Sequence, residues 1–108
     1  MIAEFSEHSR EIANLCRKYR VQRLDAFGSA VRGDFEKSSS DVDLVADFSA
    51  TREPGYADRY LDFAESLEIL FGRKVDLLTP GSIRSPRFAE TIKREALTLY
   101  ESKEHQAA

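Results

Sequence analysis

The stretch Gly28–Val45, GSAVRGDFEKSSSDVDLV, decides how the rest of the chain is read. It opens with Gly28-Ser29, directly after the short apolar segment Val21–Phe27. It closes with Asp41 and Asp43, spaced i and i+2, at the head of a second apolar segment. Asp41 to Phe48 alternates: Val42, Leu44, Ala46 and Phe48 share one face, and Asp41, Asp43, Val45 and Asp47 share the other. A period of two is that of a strand with one buried face, so the spacing predicts two carboxylates side by side on an open sheet face. Two like charges about 4 Å apart cost on the order of 4 kcal/mol at an effective dielectric of about 20. Such a pair persists where a cation relieves it. The relief comes from a neighbouring Lys or Arg, or from a divalent ion with hard oxygen ligands. Mg²⁺ is the usual ion when phosphates complete the shell.

Asp76 favours the ion. It is the lone acid in Lys74–Leu78, KVDLL, a short predicted strand with Val75 and Leu77 on one face and Asp76 on the other. Set beside the Asp41/Asp43 strand, it makes a third carboxylate. Three carboxylates suit two metal ions, which activate an attacking hydroxyl and steady a leaving pyrophosphate. Gly28-Ser29 supplies the other half. A glycine between a strand and a helical turn presents backbone N–H groups to an anion, and its missing Cβ lets a phosphate approach. Ser29 adds a hydroxyl donor. Arg32 either reaches phosphate or pairs with Asp34 or Glu36, and Ser40 orients Asp41 from the loop. Gly28, Ser29, Arg32 and Ser40 are thus the candidate nucleotide-binding residues, and Asp41, Asp43 and Asp76 the candidate catalytic and metal-binding ones. Each has a plainer use: acids at a strand entry for Asp41 and Asp43, an exposed strand acid for Asp76, a helix N-cap for Ser29. Asp25 and Asp47 read as structural or solvated.

Competing motifs fail on their own residues. Gly28 to Gly33 has P-loop spacing, but Asp34 stands where its lysine belongs. There is no GxGxxG. An EF-hand would need an oxygen ligand and a glycine where the chain has Val45 and Ala46, and a phospho-aspartate DxD would continue Gly-Thr rather than Leu44-Val45.

Outward from this stretch, residues 3–19 read as an amphipathic helix with Phe5, Ile12, Leu15, Cys16 and Tyr19 on one face. Val21–Phe27 reads as a strand, and Ser29–Gly33 as a single helical turn. Tyr56–Phe71 reads as a second long helix, burying Tyr60, Phe63, Ala64, Leu67, Leu70 and Phe71 and capped by Gly72. Ser85-Pro86 starts a third helix that runs to about Glu95 and packs Phe88, Ile92 and Ala96. Ala96–Tyr100 reads as a last edge strand, and Ser102–Ala108 as a polar, frayed tail. The order predicts one α/β domain over residues 1–101, a small mixed sheet packed by about three helices.

Bulk properties agree. A chain of 108 residues is the size of one domain. The net charge of −3 argues against an extended nucleic-acid surface, without excluding a nucleotide. The single cysteine, Cys16, excludes an internal disulfide and a Cys-based zinc site; it reads as a small buried hydrophobe, since neither His8 nor His105 gives it a triad. No apolar run is long enough to span a bilayer and no signal core opens the chain, so a cytoplasmic protein is expected.

Gly28-Ser29, Arg32-Gly33, Ser40-Asp41-Val42-Asp43-Leu44 and Val75-Asp76-Leu77 together resemble the DNA polymerase β-like nucleotidyltransferase superfamily, and within it the minimal nucleotidyltransferase (MNT) branch. The resemblance covers roughly residues 20–100. It implies the nucleotidyltransferase fold, with Asp41 and Asp43 as Mg²⁺ ligands. Asp76 would complete the metal site and help deprotonate the acceptor. Gly28 and Ser29 would hold the triphosphate of ATP. The implied reaction is in-line attack on the α-phosphate, transferring a nucleoside monophosphate and releasing pyrophosphate. Small members of this branch are often paired with a HEPN-domain ribonuclease toxin, which the nucleotidyltransferase neutralises as antitoxin, in some pairs by adenylylating a tyrosine. No added helical domain is visible to hold an acceptor, so the acceptor is expected to be docked from another protein or to be very small; homo-oligomerisation is left open. Two other readings stand beside this one: a non-catalytic antitoxin that binds and blocks its partner, and a small-molecule nucleotidyltransferase of the aminoglycoside type. Eleven residues separate Ser29 from Asp41, one more than the branch usually carries, so the loop Phe35–Ser40 has one residue to absorb.

Overall fold

The computed structural model describes residues 3–32 and 41–103. Two short helices, α1 (Ala3–Glu7) and α2 (Ser9–Lys18), lead into strand β1 (Val21–Phe27) and the single turn α3 (Ser29–Arg32). Strand β2 (Val42–Phe48), helix α4 (Tyr56–Phe71), strand β3 (Val75–Leu78), a 3₁₀ turn at Pro80–Ser82, helix α5 (Pro86–Glu95) and strand β4 (Leu97–Glu101) follow. The sheet has the order β3-β2-β1-β4. It is antiparallel except for the parallel pair β2/β3, which makes it mixed. Among the described residues, no helix is long and apolar enough to cross a membrane.

The alternation of β2 produces the main core. Val42, Leu44, Ala46 and Phe48 are buried on one face, against Leu24 and Ala26 of β1 and against Phe5, Ile12, Cys16, Phe63, Leu67 and Phe71 from the helices. Edge-to-face ring pairs, Phe5–Phe71 at 5.7 Å and Phe48–Phe63 at 5.6 Å, tie α1 and β2 to α4. α4 stops at Gly72, whose φ of 65° is left-handed and whose N–H bonds the Glu68 carbonyl at 2.9 Å. α5 starts at Pro86 because the Ser85 hydroxyl oxygen accepts the Phe88 N–H at 3.2 Å.

Four features differ from the reading by pattern. The first helix is broken at His8 (φ −111°, ψ 22°), although His8 N–H still bonds Glu4 and Ile12 N–H still bonds His8. Its first turn is held separately, by Phe5 on Phe71 and by an Arg73–Glu4 ion pair at 3.0 Å. That break, with the turn α3, gives five helices among the described residues in place of about three. The second sheet face is not open throughout. Phe27, Val45 and Ile92 form a smaller buried cluster under α5, with Leu78, Ile83 and Ala96 against it. Phe88, expected in that packing, is 40% exposed and only lays its ring on Phe27. The polar tail begins later than Ser102, whose N–H extends the sheet by bonding Gln22 at 2.8 Å. Gly33, the loop Phe35–Ser40 with its extra residue, and the chain beyond Lys103 lie outside the described residues.

Candidate active site

Register builds the site. In the parallel pair, Val42 stands opposite Val75, Asp43 opposite Asp76, and Leu44 opposite Leu77. The valines and leucines turn into the main core, so Asp43 and Asp76 turn together to the other face, on strands about 4.8 Å apart. In the antiparallel pair, Asp43 stands opposite Phe27, the last residue of β1. Gly28, the next residue, therefore lies against Asp43. A Cβ built on Gly28 would come within 2.5 Å of Asp43 Oδ2, and its φ of 76° is left-handed. Both facts demand glycine, the second for the backbone and the first for the carboxylate.

The pattern that placed Gly28-Ser29 at a strand end is observed. Gly28 closes β1, and its carbonyl accepts the Val31 and Arg32 N–H groups at 3.1 and 3.0 Å, which starts α3. The N–H groups of Ser29 and Ala30 precede these first bonds and stay outside the helix's own ladder. Arg32 is exposed, with its guanidinium 3.5 Å from Glu95 Oε2, a pairing the sequence did not suggest.

Electrostatics mark Asp43. Its carboxyl is pushed above the ordinary carboxylate value by burial first, then by Asp76 and Asp41, with Arg32 pulling the other way. Among the described residues, no hydrogen bond or ion pair reaches the side chains of Asp41, Asp43 or Asp76. The like-charge problem expected from the sequence is thus present at Asp43, and among the described residues Arg32 opposes it only at a distance, without a contact. Asp41 lies one residue before β2 and is exposed. The three carboxylates do not close on a common point as they stand: among the described residues, no three acidic, imidazole or thiol groups are arranged to hold a metal ion. The donor set is nevertheless all carboxylate oxygen, which suits a hard divalent cation, and Asp43/Asp76 are already paired by register. Ser40 lies outside the described residues.

Three other groups resolve. Cys16 is fully buried, and burial pushes its thiol up to about 12, Arg17 opposing weakly, so it is a core residue. Asp25 is structural: Arg23 donates to it at 3.0 Å and the Thr98 hydroxyl at 2.8 Å. Tyr60 sits in the apolar stripe of α4 as expected, but its hydroxyl also donates to the Leu77 carbonyl, next to Asp76. Burial, then Tyr56 and Asp76, raise its pKa. A phenol in a buried stripe needs an acceptor, and that was the available signal for this contact.

A small mixed sheet that sets two aspartates of neighbouring parallel strands beside a glycine-serine turn defines a nucleotidyltransferase-type enzyme. The nucleotidyltransferase domain family matches residues 9–99, and the chain belongs to it. The protein adenylyltransferase MntA of Thermococcus cleftensis is 34% identical over 90 residues, 83% of each chain. A solved chain assigned as a minimal nucleotidyltransferase superposes with a TM-score of 0.70 at 28% identity, covering 85% of this chain and 89% of that one. A solved complex of a tri-AMPylated Shewanella oneidensis HEPN toxin with an MNT antitoxin holds a chain of the same fold. Its TM-score is 0.61 at 18% identity, over 95% of this chain and 77% of that one.

Proposed function

We propose that this chain moves AMP from ATP to a hydroxyl of a partner protein, and that the partner is a HEPN-domain toxin that it restrains as antitoxin. One observation carries the chemistry: Asp43 and Asp76 are register partners facing the same way, with Gly28 packed against Asp43. The target is supported by likeness. MntA of T. cleftensis is named a protein adenylyltransferase, and the Shewanella complex pairs an AMPylated HEPN toxin with an MNT antitoxin.

In this reading Asp41, Asp43 and Asp76 hold divalent ions, Mg²⁺ by their oxygen-only donors, with Asp41 turning inward to join the register pair. Bound there, the ions would neutralise charge on the phosphates and lower the pKa of the attacking hydroxyl. The chain's own groups divide the remaining work. Ser29, through its hydroxyl and the N–H groups at the start of α3, receives the triphosphate, and Gly28 keeps the backbone clear for it. Arg32 adds positive charge on the same side, and Ser40 orients Asp41. Asp76, exposed at the sheet edge, stands where an acceptor can enter and takes its proton.

The open arrangement of the three carboxylates favours one other reading, a binding antitoxin with a relic pocket. One experiment separates the two. The chain is incubated with ATP, Mg²⁺ and the protein encoded beside it, and the products are weighed by intact-mass spectrometry. The expected result is a gain of one or more AMP units on the partner, abolished by Asp43→Asn. Absence of transfer, with partner binding that survives Asp43→Asn, would sink the enzymatic reading.

A further inference from the structure

β3 is an edge strand, and an edge strand leaves half of its backbone groups unpaired. Which half follows from the ladder. The Lys74 carbonyl accepts Val42 N–H at 2.9 Å, so Lys74 and Asp76 direct their backbone groups at β2, while Val75 and Leu77 direct theirs outward. Both outward positions are met by α4. Val75 N–H donates to Glu68 Oε2 at 3.0 Å, and the Leu77 carbonyl accepts the Tyr60 hydroxyl. The two side chains stand eight residues apart on α4, about two helical turns and so on one face. α4 runs antiparallel to β3 across the short Gly72–Lys74 connection, which brings Tyr60 to the far end of the strand and Glu68 to the near end. The residue between the two anchored positions is Asp76.

We infer that Tyr60 and Glu68 are positioning residues, which anchor one backbone group of the outer edge of β3 on either side of Asp76 and thereby hold that carboxylate opposite Asp43. This rests on the reading of Asp76 as an active-site carboxylate. β3 is only four residues long, so its buried face fixes the register while few β2 bonds hold each residue against small displacements. An inward bond ladder sets which residue faces Asp43; the outward anchors set how far that residue can stray. A shift of about 1 Å at a reacting group costs up to about a hundredfold in rate, so anchoring of this kind is worth two side chains.

The test uses Tyr60→Phe and Glu68→Ala, each of which frees one edge group. Glu68→Gln keeps an acceptor oxygen on the same stem and serves as the rescue. Ile12→Val, in the core behind α2, serves as the control for simple loss of stability. Three quantities are read: amide exchange at Asp76 in the metal-free chain, Mn²⁺ affinity by calorimetry, and AMP transfer. In Tyr60→Phe and Glu68→Ala, Asp76 exchange accelerates, and Mn²⁺ affinity and kcat each fall roughly tenfold. KM for ATP, set at Gly28-Ser29, stays within about twofold. Glu68→Gln and Ile12→Val behave as the unaltered chain in all three. The inference is overturned if both Tyr60→Phe and Glu68→Ala keep ordinary exchange and Mn²⁺ affinity, or if Ile12→Val loses as much as they do. Should the unaltered chain bind no Mn²⁺ and transfer nothing, the enzymatic reading fails, and exchange at Asp76 alone decides whether the anchors hold the strand.

Discussion

Replacing Gly28 by alanine tests the site at its tightest point. Two separate penalties are expected. The left-handed φ of 76° costs a residue with a Cβ about 1–2 kcal/mol. The new methyl would also sit 2.5 Å from Asp43 Oδ2, closer than any relaxed contact, so the carboxylate or the turn must move. Overpacking of that kind costs about 1–3 kcal/mol. Gly28→Ala should therefore lose about 2–5 kcal/mol in urea unfolding, the sum of those two ranges. A double-mutant cycle separates the parts. In an Asp43→Ala background the clash disappears and only the backbone penalty remains, so Gly28→Ala should there cost about 1–2 kcal/mol. The difference, about 1–3 kcal/mol, measures the contact itself. AMP transfer by Gly28→Ala should fall by about a hundredfold or more, because the carboxylate displaced is one of the two set by register. Equal costs in the two backgrounds, or a Gly28→Ala chain with full activity, would refute the claim that Gly28 and Asp43 share this space.

Three further outcomes follow from the same geometry. Arg59 donates to the carbonyls of Tyr19, Ser49 and Ala50 at 3.0, 3.1 and 2.8 Å, pinning the two turns that contain the left-handed residues Arg20 and Ala50; Arg59→Ala should cost about 3 kcal/mol in urea unfolding, and Arg59→Lys, with one compact charge for three acceptors, most of that. Asp43 has its carboxyl raised in the fold, so its contribution to stability is fully present below the ordinary value of 3.8 and is lost as pH rises through the raised value. Metal-free Asp43→Asn should accordingly melt above the unaltered metal-free chain at pH 7, the gap closing as pH falls below 3.8, and Mg²⁺ should raise the melting temperature of the unaltered chain only. Cys16, fully buried with its thiol pushed up to about 12, should react with a thiol reagent at pH 8 only at the rate of global unfolding, which urea-dependent labelling measures.

Much of this fold was legible because its signals are local. The alternation of β2, the Gly72 stop, the Ser85-Pro86 start and the stripe of α4 each rest on a few adjacent residues, and the observed elements follow them. The last strand, Leu97–Glu101, was readable from Thr98 and Tyr100 in the same way. What pattern could not give was long-range. His8 carries no breaker; the helix breaks there because Phe5 and Glu4 are tied to Phe71 and Arg73, more than sixty residues away. Val45 was read as part of an open face because alternation gives only the side of the sheet. Whether that side is covered depends on where α5 lands, and Ile92 lands on it. Arg59 carries no local signal of its role, since its three acceptors are backbone carbonyls from two other segments.

The candidate site divides along the same line. That Asp43 and Asp76 belong together was inferred from charge: two acids in apolar strands need a shared reason. Register is the structural form of that reason, because a parallel pair with Val42 on Val75 and Leu44 on Leu77 can place Asp43 only on Asp76. A slip of one residue would put Asp76 into the main core and a buried leucine on the far face. The hydrophobic pattern thus sets the carboxylates as firmly as it sets the core, and any change to Val75 or Leu77 acts on the chemistry through register. Asp41 is different. It lies before β2, exposed and outside the ladder, so no core residue fixes it. In the proposed reading the site therefore joins two carboxylates built into the sheet to one that is not, Asp41 at the entry to β2.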